Sequence, residues 1–343
     1  MTLHSRDAAA AGPAAAAAPT TVPPHSLFEP IEDIRASFID DFQKVRIANG
    51  EKPAERAVFR KQHGVAKGKL SVVESCPAKF RAGLWARGPY DVWMRWSSDA
   101  PPDVPDQKNN TIGFALKLFG VTGPTLATDN PLASNADLIF QNSDIFFVDN
   151  ARDMAAISSS KETDAFTAVH KRSLLVLKEM AKVEKSLLSA RYSSTLPYAL
   201  GDAIVKYRLI AAQAVADNPP GASPNYLAED LKRRLAAGPI SFVIEAQSFV
   251  DDSVTPIDRA TERWEERISP FETVAQLDIP AQDIDQPGQA AYGEGLAFSP
   301  WRTLYANRPV GSIADARRIS YPASAAVRRS LNGQSMDEPD KPR

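Results

Sequence analysis

Hydrophobic residues recur along the chain at two spacings, one typical of helices and one typical of strands. Over residues 28–49 the spacing is three or four, which predicts a helix with one apolar stripe. The members of this stripe are Ile31, Ile34, Phe38, Phe42 and Val45. Residues 226–237 predict another helix, which ends at Gly238. Residues 311–331 have a helical composition, and Pro322 is expected to kink or divide that helix.

Between these helices the apolar positions alternate, as they do in strands. Val92, Met94 and Trp96 share one face of a predicted strand over residues 90–96. Further strands are predicted over residues 58–73, 112–119, 136–148, 240–250 and 271–279. Residues 151–192 are predicted to be mostly helical, with an apolar stripe formed by Leu174, Leu177, Met180, Val183, Leu187 and Leu188. This order predicts an α+β fold with an antiparallel sheet rather than an alternating βαβ fold.

The composition predicts a hydrophobic core and no membrane span. Hydrophobic residues make up 43% of the 343 residues, and no apolar run approaches the ~20 residues that cross a bilayer. Lys and Arg number 40 against 42 Asp and Glu, and this net charge of −2 argues against nucleic-acid binding. One cysteine and four histidines disfavour a Cys-rich or His-rich metal cluster.

Both ends of the chain differ in composition from its middle. Residues 1–26 are rich in Ala and Pro, and we expect them to be a disordered tail. A secretory signal is the alternative, disfavoured because Asp7 adjoins an Ala-rich stretch that has no Leu, Ile, Val or Phe. We therefore expect a cytoplasmic rather than a periplasmic or secreted protein. Residues 332–343 are polar and predicted to be flexible, which leaves residues 27–331 as one domain.

The candidate chemistry begins with Arg317 and Tyr321 on the last predicted helix. Residues four apart share a helix face, so the guanidinium of Arg317 can approach the phenol of Tyr321. A nearby cation favours the phenolate, and tyrosinate is one of the proximal ligands that proteins offer to haem iron. The alternative for this pair is a surface contact with no ligand.

Several segments, taken in order, resemble the catalase superfamily and most of all its small bacterial catalase-related branch. They are Met-Arg-Trp-Ser at 94–97, Gly-Phe-Ala-Leu-Lys at 113–117, Asp-Leu-Ile-Phe-Gln-Asn-Ser-Asp-Ile-Phe-Phe at 137–147, and residues 317–329. The resemblance extends from about Glu55 to Arg329, and the extra carboxy-terminal domain of the large catalases is absent. It implies a haem b inside an antiparallel β-barrel, with helices inserted and packed around the barrel.

The resemblance also implies roles for individual residues. Tyr321 corresponds to the axial ligand of the haem iron, and Arg317 supports it. Arg56, Arg95 and Arg328 correspond to three arginines near the haem propionates. Phe114 and Phe147 match positions that pack near the porphyrin, and the alternative for both is ordinary barrel core.

The sequence departs from the family on the distal side of the implied haem. Catalases carry an essential histidine three residues after the first arginine, and Phe59 stands in that place. His63 matches a second histidine of the small branch. Asn142 is assigned to the place of the catalytic asparagine, and Ser97 to that of the serine that supports the distal histidine. In an alternative register, Arg60 pairs with His63 as Arg-x-x-His, and His63 faces the iron.

These departures shape the predicted activity. A phenyl ring cannot move a proton, and a positioned proton-transfer group contributes roughly 10²–10⁴ in rate. We therefore predict a peroxide-processing haem oxidoreductase with weak hydrogen peroxide dismutation. Its partner is a small-molecule peroxide, either an organic hydroperoxide or the oxidant for a small molecule, with Phe59 lining the pocket and Asn142 orienting the peroxide. A catalase or peroxidase that uses His63 and a non-enzymatic haem-binding protein are the alternatives, and homo-oligomers are compatible with all three.

Overall fold

The computed structural model describes residues 28–108, 110–127, 130, 132–159, 166, 168–216 and 221–343. The predicted tail over residues 1–26 lies outside them. A nine-stranded antiparallel sheet occupies the centre of the described residues. Its strands are β1 (Lys61–Val72), β2 (Tyr90–Ser98), β3 (Ile112–Phe119), β4 (Asn135–Gln141), β5 (Tyr192–Ser193), β6 (Tyr198–Leu200), β7 (Ala203–Ala211), β8 (Ile240–Ser248) and β9 (Phe271–Ile279).

The sheet closes on itself. The strand order is β5-β4-β3-β2-β1-β9-β8-β7-β6, and β5 also pairs with β7 through Tyr192 opposite Leu209 and Ser193 opposite Arg208. Eight strands therefore form a barrel, and β6 continues the sheet beside β7. Closure gives β5 a second partner strand, so that it is no longer a free edge. The predicted α+β class with an antiparallel barrel is confirmed.

The barrel interior is filled by large side chains from alternate strand positions. Trp96, Phe114 and Phe140 point inward, and the ring of Phe114 stacks on that of Trp96 at 4.4 Å between centroids. Because side chains alternate along a strand, Arg95, Ser97 and their neighbours in register point outward. The interior is therefore packed core, and any ligand site on these strands lies on their outer face.

The predicted N-terminal helix is present, and its predicted stripe packs inward at Ile31, Ile34 and Phe38 but not beyond. Helix α1 (Phe28–Arg35) leads through a π-helical segment (Ala36–Lys44) into α2 (Val45–Ala48). In the π-helical segment the buried residues are Ser37, Ile39 and Gln43, whereas Phe42 and Val45 are about half exposed. A π-helix has more residues per turn than an α-helix, so the inward face departs from the predicted stripe.

The helical prediction for residues 151–192 is correct only in part. The described helices are α3 (Ala151–Ser159) and α4 (Lys171–Met180), and α4 packs with Ser173, Val176 and Met180 rather than with Leu174. Beyond Met180 the prediction is wrong. Leu187 and Leu188 belong to the barrel core, and the chain then enters β5, because burial and strand pairing override the helical spacing.

The remaining helices are α5 (Tyr226–Ala237), α6 (Gln289–Gly295) and α7 (Ser312–Leu331). The predicted boundaries of α5 are correct. Pro322 lies inside α7 without dividing it. Strands β1 and β4 are shorter than predicted, and β7 and α6 were not predicted. No helix in the described part of the chain is long and apolar enough to cross a membrane.

Residues 332–343, predicted to be flexible, make specific contacts with the barrel. Glu338 is 3% exposed and pairs with Lys117 of β3 and Arg329 of α7. The Nζ atom of Lys117 lies 3.0 Å from Glu338 Oε2 and 2.6 Å from Asp137 Oδ1. This buried ion-pair group connects the end of the chain to β3 and β4.

Candidate functional site

A cavity of about 420 Å³ lies between the outer face of β2–β4 and helix α7. Its volume is in the range of about 300–1,000 Å³ that small-molecule sites occupy. Most of the predicted site residues border it: Arg56, Phe59, Arg95, Ser97, Phe114, Phe147, Arg317, Tyr321 and Arg328. His63 and Asn142 do not. Sequence positions from residue 56 to residue 328 therefore meet at one site.

The strand register explains which barrel residues face the cavity. Ser97 of β2 lies opposite Gly113 of β3, which lies opposite Gln141 of β4. All three border the cavity, as does the next outward row of Arg95, Ala115 and Ile139. The resemblance implied a site inside the barrel. The site instead lies against the outside of the barrel, because Trp96, Phe114 and Phe140 fill the interior.

Helix α7 brings Arg317 and Tyr321 together, as their four-residue spacing predicts. Arg317 Nη2 donates a hydrogen bond to the phenolic oxygen of Tyr321 at 2.9 Å. Burial opposes the charge of Arg317, but the phenols of Tyr321 and Tyr198 outweigh it and hold the pKa of Arg317 above its usual value. The guanidinium of Arg317 therefore places a positive charge at the phenolic oxygen of Tyr321.

Three arginines surround one carboxylate at another part of the cavity wall. Arg95 Nη2 lies 3.1 Å and Arg56 Nη2 lies 3.6 Å from the carboxylate of Glu294. Arg56 and Arg328 also donate to backbone carbonyls of Glu294 and Leu296. The Nε atom of Arg56 is buried and has no hydrogen-bond partner among the described residues. We call Arg56, Arg95, Arg328 and Glu294 the arginine cluster.

The arginine cluster carries a surplus of two positive charges, since three guanidinium groups face one carboxylate. Burial, followed by the charge of Arg95, lowers the pKa of Arg56 well below its usual value. Burial, followed by the charge of Arg329, lowers that of Arg328 to about 10. Burial is the first cause of both shifts, and the cluster itself contains three cations and one carboxylate. A ligand with two carboxylates would balance the cluster.

Phe59 stands in the cavity wall with an unusual backbone. Its φ is +54°, a left-handed conformation that is rare for a bulky residue without a special constraint. Arg95 Nη1 donates to the carbonyl of Phe59 at 3.2 Å, and the Phe59 N–H donates to Asp99 Oδ1 at 3.4 Å. The ring lies against Gly113. The surrounding contacts therefore fix this phenyl ring at the cavity.

His63 belongs to strand β1. It is buried and does not border the cavity. Its Nε2 atom hydrogen-bonds with Ser98 Oγ, and its Nδ1 atom lies 3.9 Å from Asp106 Oδ1. Burial, followed by the charges of Lys61 and Arg95, lowers the pKa of His63 to about 3. The imidazole is therefore neutral near pH 7. The alternative register, in which His63 faces a ligand in this cavity, finds no support in this placement.

Asn142 faces away from the cavity, and its neighbour Gln141 faces into it. Asn142 Oδ1 accepts the N–H of Ile112 at 2.9 Å, and Asn142 Nδ2 donates to Glu184 at 2.6 Å. Successive residues of a strand point to opposite faces, so only one of the two can border the site. The buried Nε2 atom of Gln141 has no hydrogen-bond partner among the described residues. Gln141 is thus the amide available to a ligand.

The other predicted positions contribute in different ways. Ser97 lies in the row of Gly113 and Gln141. Phe147 borders the cavity together with Phe146, whereas Phe114 touches it from the barrel side, with its ring in the core. The ring of Phe114 thus packs as ordinary barrel core, which was the alternative given for this residue.

Sequence analysis missed Gln141 and Asp99, both in the cavity wall. The alternation of Arg95 and Ser97 extends to Asp99, and the alternation of Asp137 and Ile139 extends to Gln141. Either signal was available from the strand pattern alone. Ile34 and Phe38 of the predicted N-terminal stripe also border the cavity, whereas Ile39 lies off that stripe and reaches the wall from the π-helical segment.

The fold of the described chain is similar to that of catalases. A bacterial catalase shares 18% sequence identity with a TM-score of 0.66, over 88% of this chain and 63% of the catalase. A fungal catalase shares 17% with a TM-score of 0.61, over 85% and 64%. Catalase A from Saccharomyces cerevisiae also shares 17% with a TM-score of 0.61, over 83% and 63%.

The chain spans less than two thirds of the length of these catalases. No protein-family model matches it, and no curated protein matches it in sequence. The likeness shows a catalase-like fold, which the sequence resemblance predicted.

Proposed function

We propose that the cavity binds haem b and that the protein processes a peroxide there. The observation that carries the proposal is the hydrogen bond between Arg317 and Tyr321 on the wall of a cavity that also contains the arginine cluster. Tyr321 would bind the iron, and Arg56, Arg95 and Arg328 would pair with the two propionates. This ligand fits the surplus of two positive charges and the unpartnered Nε atom of Arg56.

The haem, when bound, supplies the electrons that peroxide cleavage requires. The remaining tasks belong to the side chains of this chain. The amide N–H of Gln141 can donate to a peroxide oxygen, and Ser97 lies beside it in the same row. The three arginines hold the carboxylates with charge-assisted hydrogen bonds, each contributing about 1.5–3 kcal/mol.

The apolar wall favours an organic hydroperoxide over hydrogen peroxide. Phe59 and Val58 border the cavity from the segment before β1, and Ile34, Phe38 and Ile39 border it from the N-terminal helices. Apolar surface of this kind stabilises a bound hydrocarbon by roughly 25 cal/mol per Å² of buried area. Since the phenyl ring of Phe59 moves no proton, hydrogen peroxide dismutation should be weak.

Spectroscopy of the purified protein tests the proposal. With haem supplied during expression, we expect stoichiometric haem, a tyrosinate-type high-spin spectrum, and turnover of cumene hydroperoxide with little oxygen release from hydrogen peroxide. Failure to take up haem would overturn the proposal. Full haem uptake without hydroperoxide turnover would instead support a non-enzymatic haem-binding protein.

A further inference from the structure

Asp99 is the one carboxylate among the described residues that border the cavity. It directly follows β2, and its N–H donates to the carbonyl of Thr111 at 2.9 Å, so the β2–β3 ladder continues past Ser98. Arg95, Ser97 and Asp99 are therefore alternate residues on one face. Strand geometry points Arg95 and Ser97 outward from the barrel, and it points Asp99 toward the same cavity.

The carboxyl of Asp99 lies beside the residue that interrupts the catalytic pattern. Its Oδ1 atom accepts the N–H of Phe59 at 3.4 Å. Among the described residues, no other hydrogen-bond donor and no cation contacts this carboxyl. One oxygen is therefore held against the Phe59 backbone, and the other can act on a ligand. In a site where the expected imidazole is a phenyl ring, this carboxyl adjoins the backbone of that phenylalanine and can exchange a proton.

The surroundings favour a carboxyl that can hold a proton. The side chain of Asp99 is exposed to solvent, yet the protein atoms crowded around its carboxyl partly desolvate it and raise its pKa, and the hydrogen bond from the Phe59 N–H lowers that pKa only in part. Other charged or titratable groups border the cavity or lie in the adjoining segment, but none of them forms an ion pair with Asp99. These groups are Arg56, Arg95, Arg317, Tyr321 and Arg328 on the wall, and Arg60 and Lys61, which pair with Glu55 and Asp106.

We infer that Asp99 is the proton-transfer residue of this cavity, in place of the imidazole that Phe59 replaces. The inference rests on the proposed haem-dependent function. The Asp99 carboxylate accepts the proton of the hydroperoxide O–H and returns it to the other peroxide oxygen as the O–O bond breaks. The bonding electron pair leaves with that oxygen, which departs as an alcohol, and a bound haem would supply the two electrons that the remaining oxygen lacks. Asp99 returns to its ionised form.

The test compares Asp99→Asn with the natural protein and with Asp103→Asn, a change at an exposed carboxyl outside the cavity. Asparagine keeps the shape of aspartate and an oxygen for the Phe59 N–H, so haem content should not change. Cumene hydroperoxide turnover should fall about 10²–10⁴-fold, the usual contribution of a positioned acid–base group. The natural rate should rise with pH as Asp99 ionises, and this rise should be absent in Asp99→Asn.

Cyanide binding gives a readout that does not depend on turnover. Hydrogen cyanide binds haem as the anion, so a protein group must take its proton. Titration of the Soret band with cyanide should show weaker affinity in Asp99→Asn, and Asp103→Asn should match the natural protein. Asp99→Glu keeps a carboxyl and should retain pH-dependent affinity. If Asp99→Asn takes up no haem, the same measurements on Asp99→Ala decide the matter.

Haem content distinguishes failure of the proposed haem-dependent function from failure of the role assigned to Asp99. A natural protein without haem uptake overturns the proposed function and this inference with it. Full haem uptake, with turnover and cyanide affinity in Asp99→Asn equal to those of the natural protein, overturns the assignment of Asp99 alone.

Discussion

The ring of Phe59 lies so close to Gly113 that a Cβ on Gly113 would stand 2.7 Å from Phe59 Cδ1. Glycine at residue 113 thus leaves the space in which the phenyl ring closes one side of the cavity. The two residues come from different parts of the chain, the segment before β1 and strand β3. A larger residue at 113 could not be accommodated without moving the ring of Phe59.

Gly113→Ala should therefore destabilise the protein by about 1–3 kcal/mol, the usual cost of overpacking. Adding Phe59→Ala to this variant should recover much of the loss, because the clash disappears. Urea unfolding of the two single variants and the double variant measures this coupling. Gly238→Ala is a suitable control, since nothing lies within 4 Å of a Cβ there. Strictly additive effects would contradict the packing described.

Phe59→His should increase hydrogen peroxide dismutation. A positioned base contributes roughly 10²–10⁴ in rate, and histidine tolerates the left-handed backbone of residue 59 better than phenylalanine does. Ser97 borders the same cavity and is the candidate partner for the new imidazole. Oxygen-electrode rates on Phe59→His, Phe59→Leu and the natural protein check this. An equal gain in Phe59→Leu would show that space, not proton transfer, was limiting.

Tyr321→Phe should abolish the tyrosinate-type spectrum and weaken haem retention. The change removes one oxygen and little volume, so folding should persist. Tyr305→Phe, at an exposed tyrosine, serves as the control and should leave the spectrum unchanged. The absorption spectrum and haem content of the three proteins decide the assignment, and full occupancy with an unaltered spectrum in Tyr321→Phe would contradict it.

Arg328→Ala should reduce haem affinity by about 1.5–3 kcal/mol, the contribution of one charge-assisted interaction with a propionate. Arg318→Ala is the matched control, because Arg318 lies on the same helix but is exposed outside the cavity. Haem transfer to apomyoglobin measures retention in both variants. Equal transfer rates from both would remove Arg328 from the proposed propionate site.

His63 should make the protein less stable as the pH falls, without affecting haem. Its pKa is lowered to about 3 in the folded protein, whereas an unfolded histidine titrates near 6.5. Between these values the unfolded chain binds a proton that the folded protein does not, so acid favours unfolding by up to about 1.4 kcal/mol per pH unit. His63→Gln should flatten this pH dependence in urea unfolding. An unchanged slope in His63→Gln would place the acid sensitivity elsewhere.

The sequence predicted best those elements whose pattern agrees with their surroundings. Residues 112–119, 226–237 and 271–279 have the predicted boundaries, because alternation or helical spacing and their flanking turn residues point the same way. Strand β7 was missed because it contains Lys206, which is 3% exposed. Burial lowers the pKa of Lys206 to about 8, and Val205, Tyr207 and Leu209 of the same strand belong to the barrel core.

The site was predictable where spacing alone fixes geometry, as for Arg317 and Tyr321 four residues apart on α7. The site residues were harder to predict on a strand, where a shift of one residue places a side chain on the opposite face of the sheet. Asn142 was chosen over Gln141 by alignment, whereas the pairing of Gln141 with Gly113 turns Asn142 to the opposite face. In the N-terminal wall, the helical spacing identified Ile34 and Phe38 but not Ile39, because the π-helical segment buries Ser37, Ile39 and Gln43 in place of the end of the predicted stripe.

The buried ion pairs of Glu338 bear on how the chain can be shortened in the laboratory. Removing residues 332–343 would leave the ammonium of Lys117, which is 0% exposed, with Asp137 as its one remaining acidic partner among the described residues. It would also leave Arg329 without its carboxylate. Breaking such pairs typically costs about 3–5 kcal/mol, a large part of the stability of most domains. Although it is polar and contains proline, this terminus is therefore a segment to retain in crystallisation work.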